Sequence, residues 1–592
     1  MTTEDELTIR VLSALLREDV VGLRSRSAPV VRQDGRWLRL PAADGEALLL
    51  PVAEDGYQSE YAARLPLLRR ETADRRTADL TSCDDILRAL RALADPVDGP
   101  GFEEFAEEYR QTLATMRLHH DVRAGTHQRL AASYGPDPAR WRGHRGALAH
   151  DSLAAYLDHP VYPTARGRRG LGAAELRSYA PEFHPRYRPR WVVLPREAVT
   201  TAGAPLEEVL PGRWPSPALL GLPELDRDHL ALPVHPLTKA QPLQDALRSL
   251  GLERHAALAR RPHLDLIPTL SMRTGAVADH PRIHLKLPLD TATLGVGNRR
   301  TIKPGTLADG AACQRLLEAV IAREPRFKDS VLLADETCWA HAGHQLLAVL
   351  VRVHPAGLDQ SAIVPMAALL APAPSGRLVI EHLADRFHDG DPLALLDAVL
   401  RLLFDWQTAL FGYGIALESH QQNISLVFDA AEDGPRVRLL LKDNDGPRVN
   451  ATRLGDLLEP VSFDDPRTVT DDDGPLADLF TTITVHLCAG AYAFGLARTG
   501  RAPLTAVLRL IRDRLAEAVD RLPPQPRDVL RERVLDAARL PVKAMVSAGT
   551  LFSKERCRAA DINKHYTTGP NYLLGASPPG PGRPPGPAPG AL

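Results

Sequence analysis

Leu7, Val11, Leu12, Leu15 and Leu16 fall on one stripe of a helix near the amino terminus. Phe105, Tyr109, Leu113 and Met116 repeat that spacing within Phe102–Asp121, behind glutamates that a helix amino terminus favours. The two stripes predict a helical domain over residues 1–145. From there the texture changes to short apolar runs: Trp191–Leu194, Leu230–Val234, Ile283–Leu287, Val331–Leu333 and Leu346–Val353. Pro and Gly punctuate these runs, which predicts a mostly antiparallel β domain with helical insertions over residues 146–378. Helical spacing returns after residue 380. Asp391 reads as an N-cap with Pro392 at the first helical position. Leu396, Leu400, Leu403, Phe404 and Phe411 carry that helix to Gly412 or Gly414. Further helices are expected at Pro475–Arg498, Pro503–Arg521 and Arg527–Ala538, giving a mainly helical domain over residues 379–576. Ser577–Leu592 is almost entirely Pro, Gly and Ala and reads as a disordered tail. The fold class is α+β, in several domains, as a chain of 592 residues exceeds what one core usually supports.

Within the last helical region, Ile415–Gly446 breaks the pattern. Glu418, His420, Gln422 and Asn423 sit within six positions, and Lys442-Asp-Asn-Asp-Gly446 follows after an apolar stretch. Ile424–Phe428 and Val437–Leu441 read as two strands joined by an Asp- and Gly-containing turn at Ala430–Pro435. Such a hairpin returns the chain on itself and brings the polar entry beside the acidic exit. One Asp or Asn there would be an ordinary turn residue. Six polar groups bracketing one hairpin point instead to a nucleotide–Mg²⁺ site, since Mg²⁺ takes few protein ligands and completes its shell with phosphates.

Composition narrows the partners. Hydrophobic residues make up 44% and charged residues 25%, values ordinary for a globular protein. A net charge of −2 excludes binding to nucleic acid or an anionic membrane by bulk charge. No run approaches the ~20 uninterrupted apolar residues of a spanning helix, the best candidate being Ile483–Leu496. The opening MTTEDELTIR has no apolar signal core, so a cytoplasmic location is expected. The five cysteines are scattered without a CxxC pair and read as buried thiols. Lysine is scarce against arginine, eight residues in all, so Lys286, Lys442 and Lys543 stand out where they fall in polar motifs.

Eight blocks, in order, resemble the siderophore synthetases that work independently of nonribosomal peptide synthetases, the aerobactin-synthetase (IucA/IucC) family. They are His159-Pro-Val-Tyr-Pro-Thr-Ala-Arg-Gly-Arg-Arg-Gly170, Tyr179–Phe183, Leu232–Pro236, Ser271-Met-Arg-Thr274, His284–Leu289 leading to Arg299 and Arg300, Glu418–Asn423, Lys442–Gly446, and Leu540-Pro-Val-Lys543. The chain departs from the family pattern at Tyr162 (His), Arg166 (Lys) and Lys442 (Arg).

The resemblance implies thumb, fingers and palm domains around a cleft, a homodimer, and a specific reaction. ATP activates a carboxylic acid such as citrate as an acyl-adenylate, and an amine or hydroxyl nucleophile then attacks. Carried over residue by residue, Ser271, Arg273 and Lys286 contact the triphosphate, and His159, Thr164, Arg166 and Arg168 line the same cleft. Thr293 and Arg299 or Arg300 sit near the α-phosphate and substrate carboxylate. His420 donates to the α-phosphate, while Glu418, Gln422, Asn423 and Asp443 hold Mg²⁺ and nucleotide. Lys543 pairs with a substrate carboxylate. Arg suits phosphate through bidentate donation and Lys as a compact charge. His235 and Tyr179–Phe183 read as structural. The competing reading is a kinase-like Mg-ATP phosphotransferase, which also brackets a hairpin with His, Asn and Asp. It lacks a catalytic carboxylate after His420 and a glycine-rich loop.

Overall fold

The computed structural model describes residues 1–431, 434–455, 461–553 and 565–576. The tail expected at 577–592, Cys557 and the tip of the Ala430–Pro435 turn lie outside the described residues. The fold is α+β in a multi-domain arrangement of antiparallel sheets and helices.

Thr2 opens the first helix, Thr3–Arg17, with a reciprocal capping box to Asp5, and its apolar stripe is fully buried. The second stripe belongs to a long helix, Gly99–Tyr134. Between them the helical expectation is corrected, because Ala28–Leu80 folds into a six-stranded antiparallel sheet. Its central strand, Ala47–Glu54, buries six consecutive residues. Leu and Ala in that run favour helix in isolation, but pairing on both edges decides the outcome.

The expected β runs all form strands. Arg190–Pro195 and His229–Val234 pair in one small sheet. Thr274–Val277, His280–Lys286, Ala348–Val353 and Asp335–His341 form the body of a six-stranded antiparallel sheet. The hairpin of Ile424–Ala431 and Gly434–Leu441 lies in a four-stranded sheet, flanked by Ala362–Pro365 and, in parallel, Val331–Leu333.

Asp391 caps the helix Pro392–Gly412 through the Leu393 N–H, as the sequence predicts. That helix packs in the largest core with Leu504–Asp520. Gly474–Arg498 is one continuous helical rod, with wider π-type turns over Phe480–Gly490. It is long and apolar enough to cross a membrane, but it is buried inside the protein. Cys83, Cys313, Cys338 and Cys488 are buried free thiols.

Candidate functional site

A cavity of about 830 Å³ opens where the sheet containing His280–Lys286, the hairpin and the strand Arg539–Lys543 meet. The hairpin register, Ile424 opposite Leu441, brings Asn423 against Lys442, whose N–H donates to the Asn423 carbonyl at 3.1 Å. The predicted juxtaposition of entry and exit groups therefore holds. The entry loop is a tight turn, with the His420 N–H bonded to the Glu418 carbonyl and the Asn423 N–H to the His420 carbonyl, both at 2.8 Å. The buried rod pins it, since Cys488 Sγ donates to the Ser419 carbonyl and Gln421 to the Leu487 carbonyl. Wide turns in that rod thus serve the site wall.

At the hairpin exit, Asp443 adopts φ +55°, a left-handed conformation that Asp tolerates better than most residues. Its N–H is bonded by both oxygens of Glu336, at 2.9 and 3.1 Å. Its carboxylate takes Lys286 at 2.8 Å and Arg352 at 2.6 Å, and Asp445 also reaches Lys286 at 3.0 Å. Burial alone would raise the Asp443 pKa, yet Arg352 and Lys286 hold it well below the usual carboxylate range. Glu336 and Arg352 pair with each other. The sequence reading missed both, although Arg352 was legible as a lone charge inside the apolar run Ala348–Val353.

Two cations in the cavity lack such compensation. Arg273 donates to the carbonyls of Arg300 and Thr301, at 3.1 and 2.7 Å. Arg300 donates to the Thr293 hydroxyl at 2.5 Å. Neither has a carboxylate partner within ion-pair distance among the described residues. Burial, with Arg273 adjacent, brings Arg300 down to about 9. A half-buried guanidinium without a carboxylate beside it favours an anionic ligand. Arg299, by contrast, points outward with its side chain 60% exposed and pairs with Asp290.

The imidazoles are poised as donors. His420 Nδ1 accepts the Gln422 N–H at 3.3 Å, which places the ring proton on Nε2. Burial, ahead of neighbouring charges, keeps this ring below its usual pKa and so neutral at pH 7. His159 Nδ1 likewise accepts from Val161 and Tyr162, and burial, with the neighbouring charges, pushes its pKa down to about 3. Lys543 reaches Glu418 at 3.2 Å from the strand Arg539–Lys543.

Of the sequence-predicted residues, His159, Arg166, Arg168, Ser271, Arg273, Lys286, Thr293, Arg299, Arg300, Glu418, His420, Gln422, Asn423, Asp443 and Lys543 all border the cavity. Thr164 does not. It is buried behind the wall with its hydroxyl on Glu108. Arg166 and Arg168 are already paired, with Asp158 at 2.6 Å and Glu182 at 2.5 Å, so they are less available to a ligand than Arg300. Glu182 comes from the Tyr179–Phe183 block, which the sequence reading treated only as packing. Lys442 is buried near Asp151, off the cavity.

Among the described residues no group of three or more His, Cys, Asp or Glu is arranged to hold a metal. Mg²⁺ beside a polyphosphate needs less. Asp443 and Asp445 already converge on one cation, the Lys286 ammonium. The Asn423 amide nitrogen is committed to the Glu418 carbonyl at 3.1 Å, leaving its oxygen as the donor atom. This hard oxygen set fits Mg²⁺. Glu418 pairs with Lys543 at 3.2 Å.

His235 is fully buried between Tyr179 and Tyr187, with Nδ1 accepting from the Leu237 N–H. Burial pushes its pKa down to about 3, so the folded state keeps it neutral while the unfolded chain protonates near pH 6.5. Below that value the unfolded state binds the extra proton, and stability falls as pH falls. At pH 5 this one residue is expected to cost about 2 kcal/mol relative to pH 8. Denaturant melts at both pH values should show a shallower pH dependence in His235→Gln than in the wild type.

Comparisons with known proteins bear on the fold and on two stretches of the chain. Residues 149–371 match the IucA/IucC family, and residues 394–566 match a model described as a ferric iron reductase FhuF-like transporter. Staphyloferrin B synthase of Staphylococcus aureus is 23% identical, over 78% of this chain and 79% of that protein. D-ornithine–citrate ligase of the same organism is 22% identical, over 82% and 79%. The ATP-bound aerobactin synthetase IucA of Klebsiella pneumoniae shares the fold, with a TM-score of 0.65 at 19% identity, over 96% of this chain and 99% of that one. These relatives are named as a synthase, a ligase and a synthetase. Over residues 149–371 the chain is similar to the IucA/IucC family.

Proposed function

We propose that the protein joins a polycarboxylic acid, citrate or a close analogue, to an amine or hydroxyl compound at the expense of ATP. A carboxylate oxygen of the acid attacks the α-phosphorus, pyrophosphate leaves, and the acyl-adenylate forms. The nucleophile then adds to the acyl carbon, AMP leaves, and an amide or ester results with loss of the nucleophile's proton.

The observation that carries this reading is Arg300, half-buried, without a carboxylate partner among the described residues and bordering the same cavity as His420. Arg273 and Arg300 attract the phosphates and the acid's carboxylates. His420 Nε2–H donates to the α-phosphate oxygens as charge builds there in the transition state. Lys543 takes a further carboxylate of the acid. Asp443, Asp445 and Asn423 would hold Mg²⁺, which supplies charge neutralisation for the leaving pyrophosphate. The ATP-bound relative and the citrate-named relative support the choice of both substrates. The reaction is placed in the cytoplasm, where ATP is available, and in a homodimer, as the family resemblance implies.

Product analysis tests the reaction type. Purified protein with ATP, Mg²⁺ and citrate is expected to release pyrophosphate and AMP in equal amounts once a diamine is added. Formation of ADP with a phosphorylated acceptor would replace this reading with phosphotransfer.

A further inference from the structure

After Lys543 the chain runs along the cavity, where Met545, Ala548, Gly549, Thr550 and Phe552 form one wall. Two acids from the first 110 residues, Glu18 and the half-buried Glu108, hold this wall in place. Glu18, 3% exposed, accepts the Val546 N–H at 3.0 Å, the Ser547 N–H at 2.8 Å and the Ser547 hydroxyl at 2.9 Å. Glu108 accepts the Thr550 hydroxyl at 2.6 Å on one oxygen, and Tyr162 and Thr164 at 2.8 and 3.0 Å on the other. Two glycines let neighbouring backbones close in. A Cβ on Gly101 would lie 2.1 Å from the Leu551 carbonyl, and one on Gly295 would lie 2.7 Å from that of Gly549.

The end of the first helix reaches both sides of the site. Arg17, adjacent to Glu18, donates to the Val161 carbonyl, and the Val161 N–H in turn bonds His159 Nδ1. Apolar residues could join two segments without burying a carboxylate, which costs several kcal/mol. What the Glu18 carboxyl adds is direction, because its two oxygens accept successive N–H groups and so fix the backbone that follows Lys543.

We propose that Glu18 is a positioning residue for the acid substrate, holding Val546 and Ser547 so that Lys543 keeps its ammonium beside Glu418 and His420. The proposal rests on the reading of Lys543 as a carboxylate ligand. It predicts a selective defect, in which binding of the acid weakens while binding of ATP, held by Arg273 and Lys286 on another sheet, does not.

The test is acid-dependent pyrophosphate release by the full chain, with KM measured separately for citrate and ATP. Lys543→Ala is expected to raise the citrate KM about tenfold, as the loss of one charged hydrogen bond does. Glu18→Gln keeps the shape but turns an amide N–H toward the donors, and should raise it about fivefold with the ATP KM unchanged. If Glu18→Gln fails to fold, Ser547→Ala removes only the hydroxyl bond and should raise the citrate KM about twofold. A wild-type citrate KM in Lys543→Ala removes the underlying reading and this proposal with it. A raised citrate KM in Lys543→Ala but not in Glu18→Gln, or equal shifts for citrate and ATP in Glu18→Gln, overturns the positioning role alone.

Discussion

Asp443→Ala is expected to abolish Mg²⁺-dependent turnover, lowering acid-dependent pyrophosphate release by about 10³-fold or more, because it touches binding and charge balance together. In the folded protein this carboxylate is the meeting point of Lys286 and Arg352, both buried. Removing it leaves two cations facing each other with only Asp445 and Glu336 to offset them. Breaking a buried ion pair from one side typically costs about 3–5 kcal/mol, so a loss of melting temperature is expected as well. Asp443→Asn separates the two effects. It keeps a polar oxygen for Lys286 and should fold closer to the wild type, yet it supplies no charge for Mg²⁺. Activity near wild type in a folded Asp443→Asn protein, measured as pyrophosphate release across a Mg²⁺ titration, would place the metal elsewhere.

The second large effect concerns His420. A neutral imidazole presenting Nε2–H gains most where negative charge develops, so its contact strengthens between ground state and transition state. His420→Ala should lower kcat about 10²-fold, the loss typical of one donor to a developing oxyanion, while the ATP KM changes little. His420→Gln, which retains a donor of shorter reach, should fall between the two. Single-turnover pyrophosphate release at saturating ATP reads the effect. Equal losses in kcat and ATP affinity would assign His420 to binding alone.

Much of this site was legible because its parts are local. The turn Glu418–Asn423 and the exit Lys442–Gly446 lie within one hairpin, and a two-strand pairing is enough to predict that they meet. The N-cap at Asp391 and the amphipathic stripes are equally local signals. The reading failed where non-local pairing decides. Ala28–Leu80 became a sheet because its runs found partners on both edges, which Leu- and Ala-rich sequence does not announce. Thr164 lies off the cavity, in a turn, with its hydroxyl bonded to Glu108 of the long helix Gly99–Tyr134.

By itself, the sequence determined the chemical inventory: a hairpin bracketed by amides and acids, and ordered blocks, arginines among them, that resemble one family. The tertiary structure decided which of those charges are spent and which are free. Arg166, Arg168 and Arg299 each meet a carboxylate, whereas Arg300 meets none among the described residues. The reason is physical, since a side chain's charge is fixed by its type but its compensation depends on what the rest of the fold packs beside it.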